Sequence, residues 1–238
     1  MDKLKQPTNL SQILSNHAKS YAPVISGEFS QKQPFVFDFT KNNLDLKRVD
    51  ITDIKAFENY VGLTLKKVGQ KWGIGGYGEN RVLYLSNLFL DRDEPRTVHL
   101  ATDLWLPSGT KVYSPLSAKV HSFQDNNNPL DYGPTIILEH VLSGIKFYTL
   151  YGHLSRSSLK NIKVGMKIKK GQQVATLGNS MENGQWPPHL HFQVISDMLG
   201  KRGDFPGVAR LSEKDYYLSI CPDPNLILKI SDKQKKRK

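Results

Sequence analysis

Between residues 52 and 69 the apolar positions recur every three or four places, at Ile54, Phe57, Val61, Leu65 and Val68. That period lines one face of an amphipathic helix, with Thr52 as its N-cap and Gly69 as its stop. From about 96 to 196 the period shortens. Runs of β-type residues at 111–113, 118–123, 135–139, 145–150, 173–177 and 189–195 are separated by Pro, Gly, Asn and Ser breakers at 107–109, 126–129, 132–134, 143–144 and 170–171. This spacing predicts a mainly β fold, an antiparallel β-sandwich or partly closed barrel. Ahead of the helix, Phe35, Phe37 and Phe39 alternate along one strand and share a face. The glycine-rich stretch 73–78 reads as a loop, since it carries neither a phosphate-loop nor a dinucleotide fingerprint. Residues 213–219 read as a short helix, and no solenoid repeat is present.

The expected organisation is therefore an α+β N-terminal extension over 1–95, a β core over 96–197, a C-terminal extension over 198–228 and a basic tail over 229–238. At 238 residues, with 38% hydrophobic and 23% charged positions, the chain is ordinary globular material. Its net charge of +11 points towards an anionic partner, but six of the basic residues sit in the tail, so nucleic acid is not expected. The single cysteine, Cys221, excludes an internal disulfide and a multi-thiolate zinc site, leaving His, Asp and Glu as ligands. No stretch approaches the roughly 20 apolar residues of a membrane span. The first residues lack the apolar core and cleavage site of a signal peptide, so the expectation is a cytoplasmic protein, with export by a non-standard route as the alternative.

Four of the seven histidines, with one aspartate, fall into three tight clusters: His99 with Asp103, His153 after Tyr151-Gly152, and His189 with His191. Residues two apart on a strand point the same way, so His189 and His191 project into one groove while Leu190 and Phe192 face the core. His99 and Asp103, four apart, can converge from a strand end or a turn. One carboxylate and two imidazoles suit zinc and leave a fourth position open.

At this point the sequence resembles a known family. The ordered set H-x-x-x-D (99–103), Pro107-Ser-Gly-Thr-Lys-Val112, Tyr151-Gly-His-Leu154, the Gly-rich turn 165–175 and Pro188-His-Leu-His-Phe192 is similar to the M23 metallopeptidases, the lysostaphin and LytM group of peptidoglycan endopeptidases. The likeness spans roughly 97–196. It implies that His99, Asp103 and His191 bind Zn2+ and that His153 and His189 act beside them, one as base for the attacking water and the other as donor to the oxyanion and then to the leaving amine. Tyr151, two residues before His153, is a further candidate donor. The segment 75–81, with Tyr77, Glu79, Asn80 and Arg81, is either a substrate contact or a polar turn. Two departures stand out: Ala101 replaces the usual glycine of the first motif, and Gln193 replaces the usual glutamate after H-L-H-F. The segment 179–188 also differs from the usual approach to the histidine pair.

The function so implied is a zinc endopeptidase acting on a peptide or peptidoglycan substrate. The competing expectations are a zinc-bound regulatory module without catalysis and a cytoplasmic peptidase on a small substrate.

Overall fold

The computed structural model describes residues 10–25, 27–30, 32–84, 89–91 and 94–230; the basic residues 231–238 lie outside them. Eight strands form one large sheet in the order β1 (Phe35–Phe37), β2 (Gly73–Gly75), β5 (Thr102–Trp105), β12 (His189–Ile195), β9 (Ile145–Gly152), β8 (Gly133–Leu142), β7 (Ala118–Asn126) and β10 (Lys167–Ile168). All neighbours are antiparallel except β1 and β2. Two smaller sheets accompany it: β6 (Lys111–Tyr113) with β11 (Gln173–Thr176), and β13 (Val208–Arg210) with β4 (Glu94–His99) and β3 (Leu90–Asp91). The fold is mainly β, as expected, with a large antiparallel sheet and no closed barrel.

Both faces of the large sheet are covered. Leu104, Leu190, Phe192 and Val194 pack on one side with Val112 of β6 and Ala175 of β11. On the other side Ile137, Leu150 and Ile195 meet Phe205, Ala209 and Cys221. This is why all seven residues of β12 are buried, although an antiparallel strand with one wet face would alternate. A third cluster gathers Phe37, Phe39 and Trp105 under Phe57 and Val61 of the helix α3 (Ile54–Lys67). Phe35 packs at its margin, so the three alternating phenylalanines do share one apolar environment.

The helix follows the apolar stripe, with one shift at its start. Asp53, not Thr52, is the N-cap: its carboxylate accepts from the amides of Lys55 and Ala56 at 2.8 and 3.2 Å. The Thr52 hydroxyl instead donates to Asp50 at 2.6 Å. The glycine stretch also departs from expectation, because Gly73–Gly75 is strand β2, between β1 and β5. A side chain on Gly73 would meet the Phe37 ring at 2.4 Å, so glycine here permits the close approach of an aromatic neighbour. Near the C-terminus the helix anticipated at 213–219 is α4 (Lys214–Ile220). Among the described residues no helix is long and apolar enough to cross a membrane.

Candidate metal centre and active site

Three backbone arrangements bring the motif residues together. His99 ends β4, the chain turns through Leu100 and Ala101, and Asp103 is the second residue of β5. Strand β12 then places His191 directly opposite Asp103 and, on its other side, opposite Gly152 at the end of β9. Ala101 is not among the residues with positive φ, so a methyl replaces the usual glycine without backbone strain there.

The Nε2 of His99, the Nδ1 of His191 and the Oδ1 of Asp103 form a triangle with all three edges 3.2 Å. Neighbouring groups decide which ring nitrogens carry protons. The Nδ1 of His99 faces the carbonyl of Gly76 at 3.0 Å, and a carbonyl only accepts, so that nitrogen holds the hydrogen and Nε2 keeps a lone pair. The Nε2 of His191 lies 3.0 Å from Oε1 of Gln193, whose amide nitrogen donates to the Pro206 carbonyl at 3.0 Å and so fixes which end accepts. His191 therefore turns the lone pair of Nδ1 inward. Gln193 supplies the acceptor that a glutamate would, without its charge.

Three lone pairs thus converge on one point with no donor between them, and Asp103 Oδ1 is a buried oxygen without a hydrogen-bond partner. Such an arrangement is repulsive unless a cation occupies it. Zinc held tetrahedrally at about 2.0–2.1 Å sets its ligand atoms about 3.3 Å apart, which the triangle matches. The residues fit the ion.

The other two histidines stand beside the triangle. His189 stacks on Trp105 with ring centroids 4.2 Å apart, and its Nε2 is 3.9 Å from Asp103 Oδ1. Its Nδ1 donates to the Pro187 carbonyl at 2.8 Å. The Nδ1 of His153 donates to the Asn183 carbonyl at 2.8 Å, and its ring lies 4.1 Å from that of His189. Both therefore leave Nε2 free. His153 adopts φ +60, a left-handed conformation that costs about 1 kcal/mol or more for a residue with a side chain. Its amide donates to the Tyr132 carbonyl and its carbonyl accepts from Gly178, which hold it there.

That backbone twist breaks the strand parity on which Tyr151 was aligned with His153. Tyr151 points instead into the core against Phe192, its hydroxyl 3.1 Å from that of Thr149, and it takes no part in the site. Tyr132 is the phenol at the centre: its hydroxyl donates to the Phe205 carbonyl at 3.1 Å and lies 3.4 Å from Nε2 of His191. Nothing in the spacing of a turn at 132–134 links it to the histidines. The segment 179–188 supports His153 through Asn183, whose side chain exchanges hydrogen bonds with the backbone of Trp186 and sets that indole beside the histidines. In the 75–81 segment, Arg81 is not an exposed turn residue; it is 2% exposed and its Nη1 donates to Oδ2 of Asp103 at 2.5 Å.

Burial dominates the electrostatics. It lowers the pKa of His99 to about 4, assisted by the Arg81 guanidinium, and that of His189 to about 4, while His153 falls well below the usual range. Burial would raise Asp103, but His99 and Arg81 beside it outweigh that and hold it well below the usual carboxylate range. His99, His153 and His189 are therefore neutral near pH 7 and Asp103 is ionised, the states in which these groups accept a metal or a proton. A pocket of about 230 Å³ opens over the cluster, walled by Leu83, Tyr84, Phe89, Trp105, Trp186 and Val208.

Residues 97–202 match the model of peptidase family M23. An uncharacterized metalloprotease of Haemophilus influenzae is 31% identical over 96 residues, which are 40% of this chain and 18% of that protein. This chain thus spans under a fifth of the length of that relative. A zinc containing peptidase from Vibrio cholerae is 31% identical over 41% of this chain and 27% of the other, with a TM-score of 0.34. The catalytic domain of lysostaphin from Staphylococcus simulans is 25% identical over 51% of this chain and 80% of the other, with a TM-score of 0.36. The family resemblance read from the motifs is shown for the segment that carries all five motif residues, and three of these, His99, Asp103 and His191, lie together as a group that could hold a metal ion.

Proposed function

We propose that this chain, with its peptidase family M23 segment at 97–202, is a zinc-dependent endopeptidase that hydrolyses peptide bonds in the cross-bridges or stem peptides of peptidoglycan. The observation that carries the proposal is the triangle of three inward lone pairs on His99, Asp103 and His191, with two further imidazoles beside it offering free Nε2 atoms.

Bound there, zinc supplies the Lewis acidity that polarises the scissile carbonyl and lowers the pKa of the attacking water. The chain supplies the rest. His189 and His153, neutral at pH 7, divide two duties: one accepts the proton of the attacking water on Nε2, and the other takes a proton from solvent on Nε2, donates it to the developing oxyanion and then to the leaving amine, after which the first returns the water's proton to solvent. Their Nδ1 atoms are committed to the carbonyls of Pro187 and Asn183, which keeps each ring turned with Nε2 towards the reacting atoms. Trp105 under His189 limits the tilt of that ring. The aromatic walls exclude bulk water and so strengthen each of these interactions.

The test is metal analysis of the purified protein combined with digestion of muropeptides and glycine-rich peptides, before and after chelation. One zinc per chain, with cleavage that disappears on chelation and returns with zinc, is expected. Zinc binding without cleavage of any of these peptides favours a regulatory module, and absence of zinc refutes the proposal. Fractionation of cells separates a wall enzyme from a cytoplasmic peptidase.

A further inference from the structure

We propose that Arg81, held by Glu79, is the positioning residue for the metal-binding carboxylate of Asp103, so that the stretch 75–81, ahead of the family-matched segment, is part of the metal centre. This rests on the metal-site reading above and adds to it a residue outside 97–202.

The two oxygens of Asp103 have opposite tasks. Oδ1 faces the two imidazoles, while Oδ2 accepts from Nη1 of Arg81. Every nitrogen of the guanidinium has a partner: Nε donates to Oε2 of Glu79 at 2.8 Å, Nη1 also reaches the Tyr84 hydroxyl at 3.3 Å, and Nη2 donates to the Gly76 carbonyl at 3.2 Å. That same carbonyl accepts a hydrogen bond from Nδ1 of His99. One short stretch therefore sets the orientation of two of the three candidate ligands. The backbone is tied to β4 at each step, with the Gly78 amide on the His99 carbonyl, the His99 amide on the Glu79 carbonyl and the Arg81 amide on the Thr97 carbonyl.

Room for the guanidinium comes from a glycine. Gly75 pairs across from Asp103 in the sheet, and a Cβ on it would lie 2.5 Å from Nη2 of Arg81 and 3.3 Å from Nε1 of Trp105. The strand β2 thus carries glycine opposite Asp103 where the guanidinium must lie against the sheet.

The physical consequence concerns coordination. A carboxylate with one oxygen pinned by a buried guanidinium offers a metal only the other, so Asp103 is held to a single Oδ1 contact and a coordination position stays open. Without Arg81, Oδ2 has no partner in a buried site, and turning both oxygens onto the metal becomes its best remaining contact. Glu79 matters because it balances the guanidinium: the trio of Glu79, Arg81 and Asp103 carries a net charge of −1, which favours a divalent cation. Lysine replaces the arginine only in part, since an ammonium keeps the charge but lacks the planar fork that spans Glu79, Gly76 and Asp103.

The experiment uses the full chain carrying Arg81→Met, Arg81→Lys, Glu79→Gln or Gly75→Ala. Zinc affinity is read by chelator competition, the visible spectrum with cobalt(II) in place of zinc, and thermal unfolding of the metal-free protein. For Arg81→Met a loss of about 10–100-fold in zinc affinity is expected, the usual scale for removing an outer partner of a ligand. Its cobalt bands should weaken as Asp103 moves to two-oxygen coordination. Gly75→Ala should reproduce the spectral change with every charge retained, and Arg81→Lys should fall between wild type and Arg81→Met. Should Arg81→Met not fold, Gly75→Ala and Glu79→Gln decide the matter by the same two readouts. Variants that only lower the unfolding temperature, with wild-type zinc affinity and cobalt spectrum, overturn the proposal. A wild-type protein that binds neither ion overturns the metal-site reading instead.

Discussion

Two buried histidine sites in this molecule, a cluster of four and the single His140, look alike by burial, yet their free nitrogens set them apart. His140, on β8, is buried and has its pKa lowered to about 4 by desolvation, as do His99 and His189 at the metal centre. Both of its ring nitrogens are spoken for, Nδ1 by the Ser117 carbonyl at 3.1 Å and Nε2 by the Thr149 hydroxyl at 2.8 Å. Each histidine of the metal centre instead commits one nitrogen to a backbone or amide oxygen and turns the other towards a shared point. A depressed pKa marks burial in both places. The unpaired lone pairs mark chemistry in only one.

The sharpest way to break this comparison is to truncate one member of each kind at the metal centre. His191→Ala should lose zinc altogether, and with it activity, whereas His189→Ala should keep zinc and lose turnover by about 10²- to 10⁴-fold, the usual scale for a general acid or base. Zinc content by mass spectrometry alongside peptide cleavage checks both. If His191→Ala still binds zinc, the two sites do not differ as described.

A smaller effect is expected at the satisfied histidine. His140→Leu should leave zinc and activity intact while destabilising the fold by about 1–3 kcal/mol, because the Thr149 hydroxyl and the Ser117 carbonyl lose their partner. The sign of its pH dependence follows from its lowered pKa. The folded state holds His140 neutral down to about pH 4, whereas the unfolded chain takes up a proton near 6.5. Its contribution is therefore complete above pH 6.5 and is lost as the pH falls towards 4, by up to about 3 kcal/mol. Urea unfolding at pH 7 and pH 4.5 should show a smaller acid loss in His140→Leu than in the wild type.

The smallest effect concerns Cys221, whose thiol burial pushes up to about 12. It should react with thiol reagents only on unfolding, in contrast to an activated cysteine, which needs a lowered pKa. Labelling of the native protein at pH 7.5 at the rate of a free thiol would contradict its place in the core with Phe205 and Ala209.

Much of the centre is legible in the chain because its geometry is local. A strand period of two carries the alternation of His189 and His191 against Leu190 and Phe192, and the strands β6 and β12 keep the bounds that their flanking breakers suggest. Tyr151 shows where such reasoning fails, since the left-handed turn at His153 reverses the parity one residue beyond the strand. Gly73–Gly75 fails differently. A glycine strand has no side-chain pattern to read, and its value lies in the space it leaves for Phe37 and Arg81.

By itself the sequence determined the β character of the scaffold and singled out the histidines and the aspartate that the fold brings together, because motif spacing and hydrophobic period are properties of neighbours along the chain. Only the tertiary structure decided that Arg81 and Gly76 hold the ligands, that Tyr132 rather than Tyr151 stands beside His191, and that Gln193 orients it. Arg81, Gly76 and Tyr132 lie 22, 23 and 59 residues along the chain from the side chains they meet, and their pairing depends on which buried donor meets which acceptor once the strands have joined.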